Sequence, residues 1–254
     1  MKVRILGCGT SSGVPRIGND WGACDPDEPR NRRLRSSILV ESAGETLLVD
    51  CGPDLREQMN AANRDRIDRV IITHDHADHC HGIDDLRQVS QAIRRAVPVH
   101  ARADVLDRLG ARFRYAFDGN QDYPATLEPQ VLSNQMKFGK TQLTFVDQPH
   151  GAISSLGIRF DEHGKSLVYA IDFHHITPDM ATMFDKADVW ISDCLRIRPH
   201  PSHAHLDAVL GWARDLKVGQ LWLTHLDNSM DYATLRASLP DWAAPAHDGQ
   251  EISL

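Results

Sequence analysis

Thr73-His74-Asp75-His76-Ala77-Asp78-His79 decides the reading of this chain. The stretch closes the run Arg69-Val70-Ile71-Ile72-Thr73, whose β-branched content predicts a buried strand. His74 and His76 are two apart, so an extended backbone sends both imidazoles to one side. Asp78 and His79 follow at the turn into the next segment, where the chain can fold them back. Three imidazoles and a carboxylate this close together form a metal-ligand set rather than an ordinary hydrophilic loop.

Outward from this stretch, polar residues stand at the ends of other predicted strands. Asp50 ends 46–49, His150 follows 142–146, Asp172 ends 166–171, Asp193 ends 189–192 and His225 ends 220–224. Side chains at the carboxyl ends of several strands can converge above a sheet. One cation is expected on His74, His76 and His150, a second on Asp78, His79 and His225, with the two oxygens of Asp172 as a bridge. A water between them, deprotonated near neutral pH, is the expected nucleophile. Asp50 suits a place behind the ligands, where it can orient an imidazole.

Further strands are expected at 3–6, 38–41, 97–100 and 156–160, and helices at 53–62, 85–95, 103–109, 178–184, 207–216 and 232–239. Residues 111–136 show no clear period. The opening strands run almost without helices and the later ones alternate with them, which predicts sheets covered by helices rather than a doubly wound parallel sheet. No linker or repeat interrupts the chain, so a single domain over residues 1–254 is expected. With 41% hydrophobic residues the chain can supply an ordinary core. A net charge of −7 argues against a general electrostatic grip on nucleic acid. Five cysteines without a C-x-x-C pair predict a reducing compartment. The opening MKVRILGCGT is too weakly apolar for a signal peptide, and no run approaches the ~20 apolar residues of a membrane helix. A cytoplasmic protein with no membrane partner is expected.

Asp50, then His74, His76, Asp78 and His79, then His150, Asp172 and His225 resemble the D, H-x-H-x-D-H, H, D, H pattern of the metallo-β-lactamase superfamily. The resemblance implies an αβ/βα four-layer sandwich, two facing sheets flanked by helices. Asp172 in the bridging slot looks like the hydrolases of esters and phosphodiesters, unlike the true β-lactamases. Gly7-Cys8-Gly9-Thr10-Ser11-Ser12-Gly13-Val14-Pro15 resembles the opening of the phosphodiesterase branch, which holds tRNase Z and the phosphoribosyl 1,2-cyclic phosphate phosphodiesterase of the phosphonate pathway. Ser11 and Ser12 are therefore candidate substrate neighbours, as is Asp193. In Pro201-Ser202-His203-Ala204-His205-Leu206-Asp207, His203 fits the slot where that branch aims a histidine at the substrate phosphate. His205 falls where relatives carry a helix-capping residue. As imidazolium, His203 can protonate a leaving alkoxide or steady charge on phosphorus. With Asp78 and Asp172 it completes the expected catalytic group. The phosphonate-pathway enzyme also holds a structural zinc on cysteines and on a histidine just after the last metal-site histidine. Here only Cys24 remains and Leu226-Asp227-Asn228 follows His225, so no third, structural zinc is expected.

Arg30, Arg32, Arg33, Arg35, Arg196 and Arg198 lie near the expected mouth and can receive phosphate groups. Their number suits a small phosphorylated substrate better than a long RNA. The expected activity is a phosphodiesterase with two divalent ions, zinc or manganese, acting on a small cyclic or sugar phosphodiester. The alternatives are a glyoxalase II-like thiolester hydrolase, a tRNase Z-like nuclease and a non-catalytic metal-binding accessory protein. The resemblance also implies a homodimer.

Overall fold

The computed structural model describes residues 1–254. The first sheet contains β1 (Lys2–Gly7), β2 (Ser37–Ser42), β3 (Glu45–Val49), β4 (Arg69–Ile71), β5 (Val97–Ala101) and β6 (Leu127–Val131). The second contains β7 (Gln135–Phe138), β8 (Thr141–His150), β9 (Ile153–Glu162), β10 (Lys165–Ala170), β11 (Val189–Asp193), β12 (Gln220–Thr224) and β13 (Ala243–Pro245). A last strand, β14 (Glu251–Ser253), returns to the edge of the first sheet beside β1. Each sheet joins an antiparallel half to a parallel half: β3 to β6 run parallel, as do β10 to β13. The parallel halves bring the carboxyl ends of β3, β4, β10, β11 and β12 to a common rim.

Strand alternation sorts the side chains into layers. In β3, Leu47 and Val49 enter the core between the sheets, with Val3, Val40, Ile158, Tyr169 and Ile191. Leu48 faces the other way, toward α1 (Leu55–Ala62) and the helices after it, α2 (Ala77–Cys80), α3 (Leu86–Ile93), α4 (Ala103–Arg112) and α5 (Arg114–Asp118). Val168 and Trp190 do the same on the second sheet, under α6 (Pro178–Phe184), α7 (Leu206–Asp215) and α8 (Tyr232–Ser238). Three apolar clusters thus separate four layers, helix–sheet–sheet–helix, as the αβ/βα reading expects. Within 111–136, where the sequence shows no period, the structure forms α5 and the edge strands β6 and β7.

Arg33 is 1% exposed. Its guanidinium donates to the carbonyls of Asp227 (3.0 Å) and Met230 (2.5 Å) and to Asn31 Oδ1 (3.0 Å), and lies 3.9 Å from Cys24 Sγ. One side chain therefore pins the N-terminal loops to the segment following β12. Replacing Arg33 by Met leaves these buried acceptors unpaired, at about 1–3 kcal/mol each before relaxation. A loss of about 2–3 kcal/mol is expected, read as a lower urea midpoint at unchanged m-value.

Candidate metal centre

The expected ligands meet at the rim. The donor atoms of His74, His76 and His150 lie within 4.8 Å of one another, and so do those of Asp78, His79 and His225. Asp172 touches both groups: Oδ2 is 2.7 Å from His79 Nε2 and 3.4 Å from His74 Nε2, while Oδ1 is 3.2 Å from His225 Nε2. Local backbone conformation aims them. Asp50, Asp172 and His225, each just past a strand end, take positive φ of 63°, 55° and 59°. This left-handed conformation is uncommon for residues other than glycine, and Asp and His are among those that tolerate it. The metal loop also needs Gly52, where a Cβ would come within 2.1 Å of the Asp78 carbonyl.

A second ring of hydrogen bonds fixes the imidazoles. Asp50 Oδ2 accepts from His79 Nδ1 (2.8 Å) and from Thr73 Oγ1 (2.9 Å), and Thr73 Oγ1 in turn accepts from His74 Nδ1 (3.1 Å). The carbonyl of Ser202 accepts from His150 Nδ1 (2.9 Å), and Ser36 Oγ stands 3.1 Å from His225 Nδ1 while donating to the Gly9 carbonyl. In every case Nδ1 is tied to an oxygen outside the cluster, which turns Nε2 inward. Asp50 thus occupies the orienting position expected of it. Ser36, Thr73 and the Ser202 carbonyl do the same work without a ligand-type side chain to advertise them in the sequence.

Electrostatics suits a cation. Burial and the neighbouring His79 hold His74 well below the usual histidine range, so it stays a neutral lone-pair donor. Burial opposes charging His79, but Asp78, Asp172 and Asp50 push it well above that range. Burial would raise the Asp172 carboxyl, yet His225 and His79 hold it well below the ordinary carboxylate range. The Nε2 atoms of His74 and His79 and both carboxylate oxygens of Asp172 are buried without a hydrogen-bond partner. Such atoms are costly to leave unpaired, and divalent cations among them would satisfy all four together. The donor set of imidazole and carboxylate fits zinc or manganese.

His203 closes the rim from the second sheet's side. Its Nδ1 lies 3.0 Å from Asp193 Oδ2 and 3.1 Å from Asp172 Oδ1, and its ring is 4.9 Å from that of His150. Burial lowers its pKa, but the neighbouring carboxylates of Asp172 and Asp193 raise it overall to about 10. Asp193 is fully buried behind it. Ser11, Ser12 and His205 make no hydrogen bond to the cluster. Ser12 Oγ turns to the Gly13 carbonyl, and exposed Ser11 offers its own carbonyl to Arg35. His205 is the N-cap of α7 but makes no side-chain capping bond.

The arginines expected at the mouth are mostly committed to other partners. Arg33 is buried in the loop pin, Arg35 pairs with Asp54 at 2.9 Å, and Arg30 pairs with Glu28 at 2.6 Å and covers Tyr232. Arg32 stacks over Trp21, and Arg196 donates to the carbonyls of Arg198 and Pro199. Arg30 and Arg196 use partners two or three residues away, whereas Asp54 reaches Arg35 from 19 residues on and the carbonyls that hold Arg33 come from almost 200, which the spacing of the arginines does not reveal. Arg198 remains exposed on a cleft of about 600 Å³ that it shares with Arg196, Ile197, Asp227 and Ser229.

Two facing sheets with this donor set at their rim define a class of metal-dependent hydrolase folds. A model of the β-lactamase superfamily domain matches residues 45–226, and the chain belongs to the metallo-β-lactamase superfamily, whose members depend on divalent metal. More particularly, it is similar over its whole length to a diphosphatase of the PhnP family. That crystal structure superposes with a TM-score of 0.90 at 32% identity, covering 99% of this chain and 96% of the other. An octanoyltransferase of Porphyromonas gingivalis is 31% identical over 236 residues, covering 90% of this chain and 46% of that protein. A ribonuclease Z of Salinibacter ruber is 32% identical over 101 residues, covering 39% of this chain and 27% of its own length. The chain thus spans less than half the length of both curated relatives. No helix is long and apolar enough to cross a membrane.

Proposed function

We propose that this chain is a binuclear phosphodiesterase acting on a small phosphorylated substrate, a cyclic or sugar phosphodiester. The supporting observation is His203: its Nδ1 is held by Asp193 and Asp172 beside the donor cluster, which leaves Nε2 for a substrate oxygen. His74, His76 and His150 would hold one cation and Asp78, His79 and His225 the other, with Asp172 shared. Zinc or manganese bound there supplies Lewis acidity toward phosphoryl oxygens and lowers the pKa of water. The chain's own groups do the remaining work. Asp50, Thr73, Ser36 and the Ser202 carbonyl keep the ligand imidazoles in one tautomer. Asp193 keeps His203 aimed and protonated, and His203 Nε2–H serves the departing oxygen. The likeness to a diphosphatase adds phosphoanhydrides to the substrate class, since they present the same phosphoryl centre with a phosphate leaving group.

Metal-free protein reconstituted with zinc or manganese should hydrolyse bis(p-nitrophenyl) phosphate, a cyclic sugar phosphate or a sugar diphosphate ester, and a chelator should abolish that turnover. Hydrolysis of a glutathione thiolester with none of the phosphate esters would overturn the reading in favour of the thiolester hydrolase. Metal uptake without turnover of any of them would favour an accessory protein.

A further inference from the structure

Four of the five ligand imidazoles have a hydrogen-bond partner for the nitrogen that faces away from the cluster: Thr73 for His74, Asp50 for His79, the Ser202 carbonyl for His150 and Ser36 for His225. His76 has none. It is exposed, and its only ring hydrogen-bond contact, Nδ1 to His150 Nε2 at 3.3 Å, lies on the cluster side. A ligand without such a partner must be held through its backbone or it is poorly held.

The residue before it supplies that hold. In an extended segment Asp75 points away from its neighbours His74 and His76. There it meets two arginines one turn apart on α4. Arg108 Nε donates to Asp75 Oδ1 and Arg112 to Oδ2, both at 2.9 Å. Arg112 also donates to the Asp75 carbonyl at 2.7 Å, on the peptide that leads into His76. Its guanidinium lies 3.5 Å from Cys80 Sγ, and that thiol donates to the His76 carbonyl at 3.1 Å. The peptide groups on both sides of His76 are therefore tied down from the side opposite the metal centre.

We infer that Asp75, Arg108 and Arg112 are positioning residues for His76, and so for the cation position formed by His74, His76 and His150. The inference rests on the metal reading above. It predicts a one-sided effect, because in the second group His79 is held by Asp50 and His225 by Ser36. Arg112 matters more than Arg108, since it alone grips both the carboxylate and the backbone. Arg112→Lys keeps the charge but loses the planar fork, so it restores the hold only in part.

Metal-free wild type, R112M, R112K and R108M would be titrated with Co²⁺ against a chelator, following the visible spectrum, with the thermal midpoint of the metal-free proteins as a folding control. Wild type should take up two equivalents. In R112M one step should weaken by roughly 10–100-fold, the usual cost of losing an orienting group, while the other stays in place. R112K and R108M should fall between. Both steps unchanged, or both weakened equally, in a folded R112M overturns the inference. Fewer than two equivalents on wild type overturns the metal reading itself and the inference with it. Should R112M fail to fold, Asp75→Asn removes the same fork from the other end and must show the same one-sided loss.

Discussion

Asp172→Asn should abolish turnover and reduce the number of bound cations while leaving the fold intact. The Asp172 carboxylate lies against both donor groups, through His74 and His79 on one oxygen and His225 on the other. An amide keeps the size and tolerates the left-handed backbone at φ 55°, but it offers one neutral oxygen in place of two charged ones. The two cation positions then lose their shared anion and repel each other without compensation. Activity should drop by more than about 10²–10³-fold, the scale of losing a preorganised electrostatic group. Metal analysis should return close to one equivalent instead of two. Circular dichroism should match wild type, because the apolar layers on either side of the sheets are untouched. Full metal content with near wild-type turnover in Asp172→Asn would remove the carboxylate from its bridging place.

The donor cluster was legible in the sequence because metal binding calls for rare residue types at strand ends. Thr73 to His79 announces itself by density, and His150, Asp172 and His225 by following apolar runs. The four-layer arrangement came from the resemblance to the superfamily; the apolar runs by themselves predicted only sheets covered by helices. What stayed hidden has physical reasons. Strand β6, Leu-Glu-Pro-Gln-Val, is a polar sheet edge carrying a proline, so it lacks the apolar pattern of a buried strand. Strands β13 and β14 are three residues long and exist by pairing with neighbours fixed elsewhere. Ser36 and the Ser202 carbonyl orient histidines through a hydroxyl and a backbone oxygen, groups present all along any chain. Arg33 looked like a phosphate receiver beside Arg32 and Arg35. Its carbonyl partners at Asp227 and Met230 come from almost 200 residues away, which spacing alone does not disclose.

His203→Ala should separate proton donation from charge stabilisation through the substrate's leaving group. His203 shares a possible donor group with His150 and Asp172, but it is not among the seven proposed ligands, so its removal should leave two equivalents of metal bound. If His203 Nε2–H gives its proton to the departing oxygen, a substrate expelling an alkoxide should lose roughly 10²–10⁴-fold in kcat, the usual contribution of an acid–base group. Bis(p-nitrophenyl) phosphate expels a phenolate that is already a stable anion, so its loss should be much smaller. Asp193→Asn tests the same step one bond further back. It keeps the His203 ring but removes the carboxylate 3.0 Å from Nδ1, one of the two groups that hold the imidazole protonated. Once cations share the charge of Asp172, Asp193 becomes the main anion supporting His203. The variant should therefore lose the alkoxide substrate preferentially, by less than His203→Ala, and its activity should fall off at a lower pH as His203 deprotonates sooner. Equal losses on both substrates would assign His203 to steadying charge on phosphorus, and full activity on both would take it out of the reaction.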